Sequence, residues 1–144
     1  MIPFKLRKLD HVVLRVRDLE ASLTFYRDVL GCPVDKVQEG IGLWQVRAGD
    51  SLIDLIPLAG VLGKMGGAGP GAEGRNLDHF AIQVAPSDGQ DVNGFLDAIR
   101  AYLAVHNIEI TDSGMRYGAE GDGPSLYIRD PDGNIVELKG PAAS

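Results

Sequence analysis

The sequence predicts an α+β fold of two βαβββ modules whose curved mixed sheets form a cavity, and three observations point there. The tripeptide Leu-Asp-His opens two β-like runs, at 9–11 and 77–79, so His11 and His79 recur at an offset of 68 in a chain of 144. Each run is followed by one helix-like stretch and then three strand-like ones. A carboxylate stands in the last strand-like run of each half, Asp54 in one and Glu137 in the other.

The elements follow in order. From Leu9 to Val16, His11, Val13 and Arg15 share one face of a strand and Val12, Leu14 and Val16 the other. Asp18 reads as the N-cap of a helix that carries Leu19, Leu23, Phe25, Tyr26, Val29 and Leu30 and stops at Gly31. Strands are expected at 34–38, 42–48 and 51–57, broken at Gly40 and at the Gly49-Asp50 turn. In the second half a strand runs from Leu77 to Val84 and a helix from Val92 to Val105. Strands near 108–112, 125–129 and 134–139 complete it, the last two joined by the turn sequence Asp130-Pro131-Asp132-Gly133-Asn134. Module 1 thus spans about 9–58 and module 2 about 77–140 of a single domain, 1–144. Between them, residues 60–76 hold seven glycines and read as a mobile linker within the 59–76 connection. A second glycine-rich stretch, Gly114 to Gly123, reads as a rim before the final hairpin.

A chain of this length can bury a core of its own. Its net charge of -6, with no run of Lys or Arg, argues against a nucleic-acid footprint. No apolar run approaches the ~20 residues that cross a bilayer, and no signal-peptide pattern opens the chain. A lone cysteine, Cys32, makes no internal disulfide, so the cytoplasm is the expected compartment and Cys32 a plain thiol near a helix end.

Two histidines and two acids at repeat-equivalent places suit one divalent metal ion (Zn, Ni, Fe, Mn or Co) and leave positions open to water or substrate. The plainer alternative is a pair of core histidines and a pair of solvated acids. That alternative has to account for four residues at once, and an acid inside an apolar run is costly unless paired or metal-bound. The third histidine, His106, follows the second helix and is expected to be structural.

At these residues the chain closely resembles the vicinal oxygen chelate superfamily, which includes glyoxalase I, extradiol dioxygenases and fosfomycin- and bleomycin-resistance proteins. The resemblance covers about residues 9–139. It rests on Leu-Asp-His-Val-Val-Leu-Arg-Val, Ser-Leu-Thr-Phe-Tyr-Arg-Asp-Val-Leu-Gly, Leu-Asp-His-Phe-Ala-Ile and Asp-Pro-Asp-Gly-Asn-Ile-Val-Glu-Leu. By that resemblance His11, His79 and Glu137 are metal ligands. Asp54 falls where glyoxalase I has a ligating glutamate, one methylene longer. The resemblance further implies a small-molecule substrate and a homodimer, with the modules pairing within a chain or across two.

The first activity implied is that of a glyoxalase-like lyase or isomerase, acting on a substrate with vicinal oxygens by metal stabilisation of an enediolate, with Glu137 or Asp54 as base. Arg15 and Arg75 stand where members of the family hold glutathione-contacting arginines, and either could clamp a substrate carboxylate. Both could equally be surface residues. The alternative is an extradiol-type dioxygenase, because Tyr127 lies ten residues before Glu137 as that pattern requires. The histidine expected upstream of that tyrosine is missing between Met115 and Ser125. A fosfomycin-type transferase lacks a convincing basic set. A non-catalytic binding or resistance protein would not need the ligands that are present.

Overall fold

A computed structural model describes residues 1–91 and 93–143. The chain divides into two compact units, Met1–Pro70 and Gly71–Ser144, and each repeats the same topology.

In the first unit β1 (His11–Val16) leads into α1 (Leu19–Leu23), which widens into a π-helical turn over Thr24–Val29. Asp18 caps α1 through its side chain, which accepts from the Ala21 amide at 3.1 Å. The helix predicted through Leu30 therefore changes its winding midway. The Leu30 amide reaches back five residues to the Phe25 carbonyl, at 3.0 Å. Phe25 and Tyr26 pack edge to face in the core, at 4.9 Å and 83°. Gly31, at φ +79°, ends the turn in the left-handed region, as its position predicted. Three strands follow: β2 (Val34–Gln38), β3 (Leu43–Ala48) and β4 (Ser51–Pro57). The sheet order is β1-β4-β3-β2, with β1 parallel to β4 and the other pairs antiparallel.

Alternation along the strands separates two faces. Leu14 and Val16 of β1, Val46 of β3 and Ile53 and Leu55 of β4 are buried with Leu23, Phe25, Tyr26 and Val29. His11, Asp54 and Gln45 lie on the opposite face, since Gln45 opposes Asp54 in the register. Cys32 is buried, and burial pushes its thiol pKa up.

The second unit contains β5 (His79–Gln83), α2 (Phe95–Val105), β6 (Asp112–Gly118), β7 (Gly121–Arg129) and β8 (Ile135–Lys139). Its order, β5-β8-β7-β6 with β5 parallel to β8, repeats that of the first. Phe95, Leu103, Leu126, Ile128, Val136 and Leu138 are its core. The turn at 130–134 closes as its composition predicts. Asp130 accepts from the amides of Asp132 and Asn134 at 3.0 and 2.8 Å, and Gly133 stands at φ +82°.

Several sequence expectations change here. The expected strand at 108–112 lies instead at Asp112–Gly118, and β7 begins at Gly121 rather than 125. The glycines of 114–123 lie within a long hairpin, where Gly118 and Gly123 leave room for the Lys139 side chain. The helix begins at Phe95; Val92, its expected start, lies outside the described residues. The glycine-rich segment also has structure that a loose linker lacks, including a 3-10 turn at Gly63–Gly66. Among the described residues, no helix is long and apolar enough to cross a membrane.

Candidate metal-binding and proton-transfer site

Each unit presents the same three-residue array. In the first, Asp10 accepts from Nδ1 of His11 at 2.7 Å, which leaves Nε2 facing Oδ2 of Asp54 at 3.9 Å. In the second, Asp78 accepts from Nδ1 of His79 at 2.7 Å, and Nε2 faces Oε1 of Glu137 at 3.9 Å. The register places both acids alike: Asp54 pairs with Val13, two residues beyond His11, and Glu137 with Ala81, two beyond His79.

These distances carry chemical meaning. A carboxylate on Nδ1 requires a proton there, so in the neutral ring Nε2 is a lone pair. A lone pair and an anionic oxygen 3.9 Å apart are too distant to hydrogen-bond and have no attraction of their own. Two metal bonds of about 2.1 Å each would span up to about 4.2 Å. The gap therefore fits a cation bound between the two atoms, and the donor set, imidazole with carboxylate, suits a borderline divalent ion. Among the described residues, no group of three or more His, Cys, Asp or Glu side chains is placed to hold a metal ion.

The acids are buried and the histidines open. The Asp54 and Glu137 side chains are 4% and 8% exposed, against 43% and 38% for His11 and His79. Each buried carboxylate has a neutral donor from the adjacent strand. Nε2 of Gln45 donates to both Asp54 oxygens, at 3.1 and 3.2 Å, and the Tyr127 hydroxyl donates to Glu137. Gln45 and Tyr127 occupy equivalent register positions opposite their acids. Burial first, and then the hydrogen bond to Glu137, raise the Tyr127 pKa and keep it a donor. Its ring also meets that of His79 edge to face at 5.7 Å. In the first unit, the hydrogen bond that His11 donates to Asp10 raises the pKa of His11.

Sequence reasoning singled out Tyr127 but passed over Gln45. The signal was available: Tyr127 stands ten residues before its acid and Gln45 nine, the difference arising from unequal hairpin turns.

Arg15 and Arg75 are engaged with the backbone. The five N–H donors of Arg15 reach the carbonyls of Gly63, Gly66, Gly67 and Ala68, at 2.7–3.2 Å. They lash the glycine-rich segment to β1, and Gly66 lacks the side chain that would collide with the guanidinium. Arg75 donates to the carbonyls of Gly133 at 2.6 Å and Gly71 at 3.2 Å, bracing the 130–134 turn. His106 caps α2 and packs at a tilt against Tyr102, 4.5 Å between ring centres, among residues unrelated to the two arrays.

Comparison with known proteins bears on the family and the fold. Residues 8–138 match the model of the Glyoxalase/Bleomycin resistance protein/Dioxygenase superfamily. The mitochondrial methylmalonyl-CoA epimerase of Mus musculus is 35% identical over 94% of this chain and 74% of its own. A glyoxalase domain-containing protein of Mycosarcoma maydis is 30% identical over 92% of this chain and 67% of its own. Among solved structures, one from the mobile metagenome of V. Pseudocholerae superposes with a TM-score of 0.70 at 26% identity, covering 99% of this chain and 100% of that one. Relatives of the chain thus include an enzyme, and the superfamily typically uses divalent metals and small-molecule substrates. With the matched model spanning nearly its whole length, the chain belongs to the glyoxalase/bleomycin resistance protein/dioxygenase superfamily.

Proposed function

We propose that this protein is a divalent-metal-dependent enzyme that moves a proton at a carbon next to a carbonyl. The observation that carries the proposal is the doubled array, in which an aspartate fixes a histidine whose free nitrogen faces a buried carboxylate. His11, His79, Glu137 and Asp54 would hold one cation between them, the modules pairing within the chain or across a homodimer. When bound, that cation would supply positive charge to stabilise the enolate or enediolate oxygens that develop.

The chain's own residues would do the rest. Asp54 or Glu137 takes the proton from carbon, each buried so that few waters compete for it. Gln45 and Tyr127 hold these carboxylates in place through neutral donors, so neither acid is neutralised by a paired cation. A 1,2-proton shift, as in a glyoxalase-like isomerase, needs one base. Inversion at a carbon needs one group to take a proton and another to return it, and the two acids supply both.

Two substrate classes follow. The glutathione hemithioacetal of a glyoxalase would call on Arg15 or Arg75, and the donors of Arg15 are fully engaged with carbonyls. That favours an acyl thioester bearing a 2-carboxylate, the substrate type named in the Mus musculus relative. The test is deuterium uptake at the α-carbon of methylmalonyl-CoA in D₂O, beside turnover of methylglyoxal with glutathione. Metal-stripped protein would be reloaded in turn with Zn²⁺, Ni²⁺, Fe²⁺, Mn²⁺ and Co²⁺. Metal-dependent exchange that Glu137→Gln abolishes is expected. Stoichiometric metal with no proton transfer on either substrate would overturn the proposal.

A further inference from the structure

The two buried acids have different neutral partners, and the partners differ in whether their direction is fixed. The side-chain nitrogen of Gln45 donates and cannot accept, so its bonds to both Asp54 oxygens run one way. A hydroxyl can do either. The Tyr127 hydroxyl donates to Glu137, but a free phenol can turn its hydrogen away and leave the carboxylate without a donor. A neighbour of Tyr127 has to settle the direction, and an arginine stands there.

Arg116 lies on β6, on the sheet face that carries Tyr127 and Glu137. The register sets Asp112 opposite Tyr127, and Gly114 and Arg116 follow on the same side at a spacing of two. The guanidinium stands over the Tyr127 ring, 5.6 Å from its centroid, within cation–π range. It also donates to the Tyr127 hydroxyl, a bond that works against the burial raising that pKa. His79 meets the same ring edge to face at 5.7 Å.

The guanidinium is itself held in that position. Oδ2 of Asp112 accepts from it at 3.2 Å and the Met115 carbonyl at 3.0 Å. Gly114 supplies the bed: a Cβ there would stand 3.2 Å from Cζ and closer still to Nη1. A continuous line of contacts thus runs from Asp112 through Arg116 and Tyr127 to Glu137, whose Oε1 faces Nε2 of His79 at 3.9 Å.

The polarity of that line follows from its members. A guanidinium has five N–H donors and accepts nothing. With Arg116 donating into its oxygen, the phenol hydrogen is turned away from the guanidinium and toward Glu137. The same charge-assisted bond polarises the hydroxyl and makes it a stronger donor.

We infer that Arg116 is a positioning residue of the second array: it fixes the Tyr127 ring and turns its hydroxyl toward Glu137, so that this carboxylate keeps its donor. Asp54 needs no counterpart, because an amide nitrogen has its direction built in. The consequence for catalysis rests on the proton-transfer function proposed above; the orientation of the hydroxyl does not.

The test reads Glu137 directly. In metal-free full-length protein at fixed pH, carbon NMR follows the Glu137 carboxyl resonance in Tyr127→Phe, Arg116→Met, Gly114→Ala and Arg116→Lys. Tyr127→Phe removes the donor and gives the full displacement. Arg116→Met should move the resonance part of the way in the same direction. Gly114→Ala keeps the charge but drives the guanidinium off its bed, and should act alike. Arg116→Lys, which still donates into the hydroxyl, should stay nearer the wild type. Added to Tyr127→Phe, Arg116→Met should change nothing more, because its route runs through the hydroxyl. An unmoved resonance in Arg116→Met, or an equal displacement with and without the hydroxyl, would overturn the inference. In the α-proton exchange assay, Arg116→Met should lower kcat about tenfold and leave KM unchanged. A loss confined to KM would mean that Arg116 touches substrate, and would also overturn it. Exchange absent even from the wild type, with the resonances still coupled, would remove the proposed function and leave the role of Arg116 standing.

Discussion

Replacing Asp78 by alanine isolates the orientation of a histidine from everything else the site does. The Asp78 side chain is 93% exposed, so its removal should leave packing intact and shift global stability by no more than about 0.5 kcal/mol. At such exposure the charge itself contributes little through solvent. What disappears is the 2.7 Å bond to Nδ1 that sets the tautomer and aim of the His79 ring. Loss of such an outer partner typically weakens metal binding about 10–100-fold, or about 1.4–2.7 kcal/mol at about 1.4 kcal/mol per factor of ten. Asp10→Ala should cost the same, because its bond to His11 is also 2.7 Å. The double variant then reports on stoichiometry. If both arrays serve one cation, the losses multiply to about 10²–10⁴-fold; if each holds its own, two ions bind and each variant weakens one. The assay is competition for Zn²⁺ between metal-stripped protein and a chromophoric chelator at fixed pH. Affinities within about twofold of wild type in both single variants would refute the idea that these aspartates position metal ligands.

Other consequences are as direct. In metal-free protein, His11 should titrate above the ordinary imidazole range, and Asp10→Ala should bring it down, as followed by NMR; a wild-type value at or below that range contradicts the geometry. Because the folded value exceeds the unfolded one, the stability His11 contributes is full at low pH and is lost as pH rises through the raised value. His79→Ala should remove most bound metal, whereas His106→Ala should retain it; equal content by mass spectrometry would sink the ligand assignment. Gly63→Ala would drive a methyl into the Pro57 carbonyl, and urea unfolding should show a loss of about 1–3 kcal/mol, whereas an unchanged midpoint would mean the turn relaxes freely.

The candidate ligands stood out in the sequence by type and position, and the residues that act through filled or missing volume did not. His11, His79, Asp54 and Glu137 were found because a repeat and an apolar context make each conspicuous. Strands β2 to β4 were found almost to the residue because apolar alternation and the Gly49-Asp50 turn agree. The hairpin of β6 and β7 was misplaced because its glycines read as breakers. In the fold they are the floor over which Lys139 crosses. Arg15 looked like a ligand clamp because a sequence shows a guanidinium but not the carbonyls that a folded loop brings to it. Gln45 was missed because a neutral amide in a strand attracts no notice until its partner across the sheet is known.

The two acids owe their direction to the lengths of two hairpin turns. Gly49-Asp50 joins β3 to β4 and sets Gln45 opposite Asp54; Asp130 to Asn134 joins β7 to β8 and sets Tyr127 opposite Glu137. Side chains alternate with period two, so one residue added to either turn would either be extruded as a bulge or rotate its carboxylate into the apolar layer. Lengthening the connection after Gly67, beyond the reach of most of the Arg15 contacts, rotates nothing. Descendants of this chain should therefore vary freely in the length of their inter-module crossing and hardly at all in those two short turns, and an insertion scan would map that difference directly.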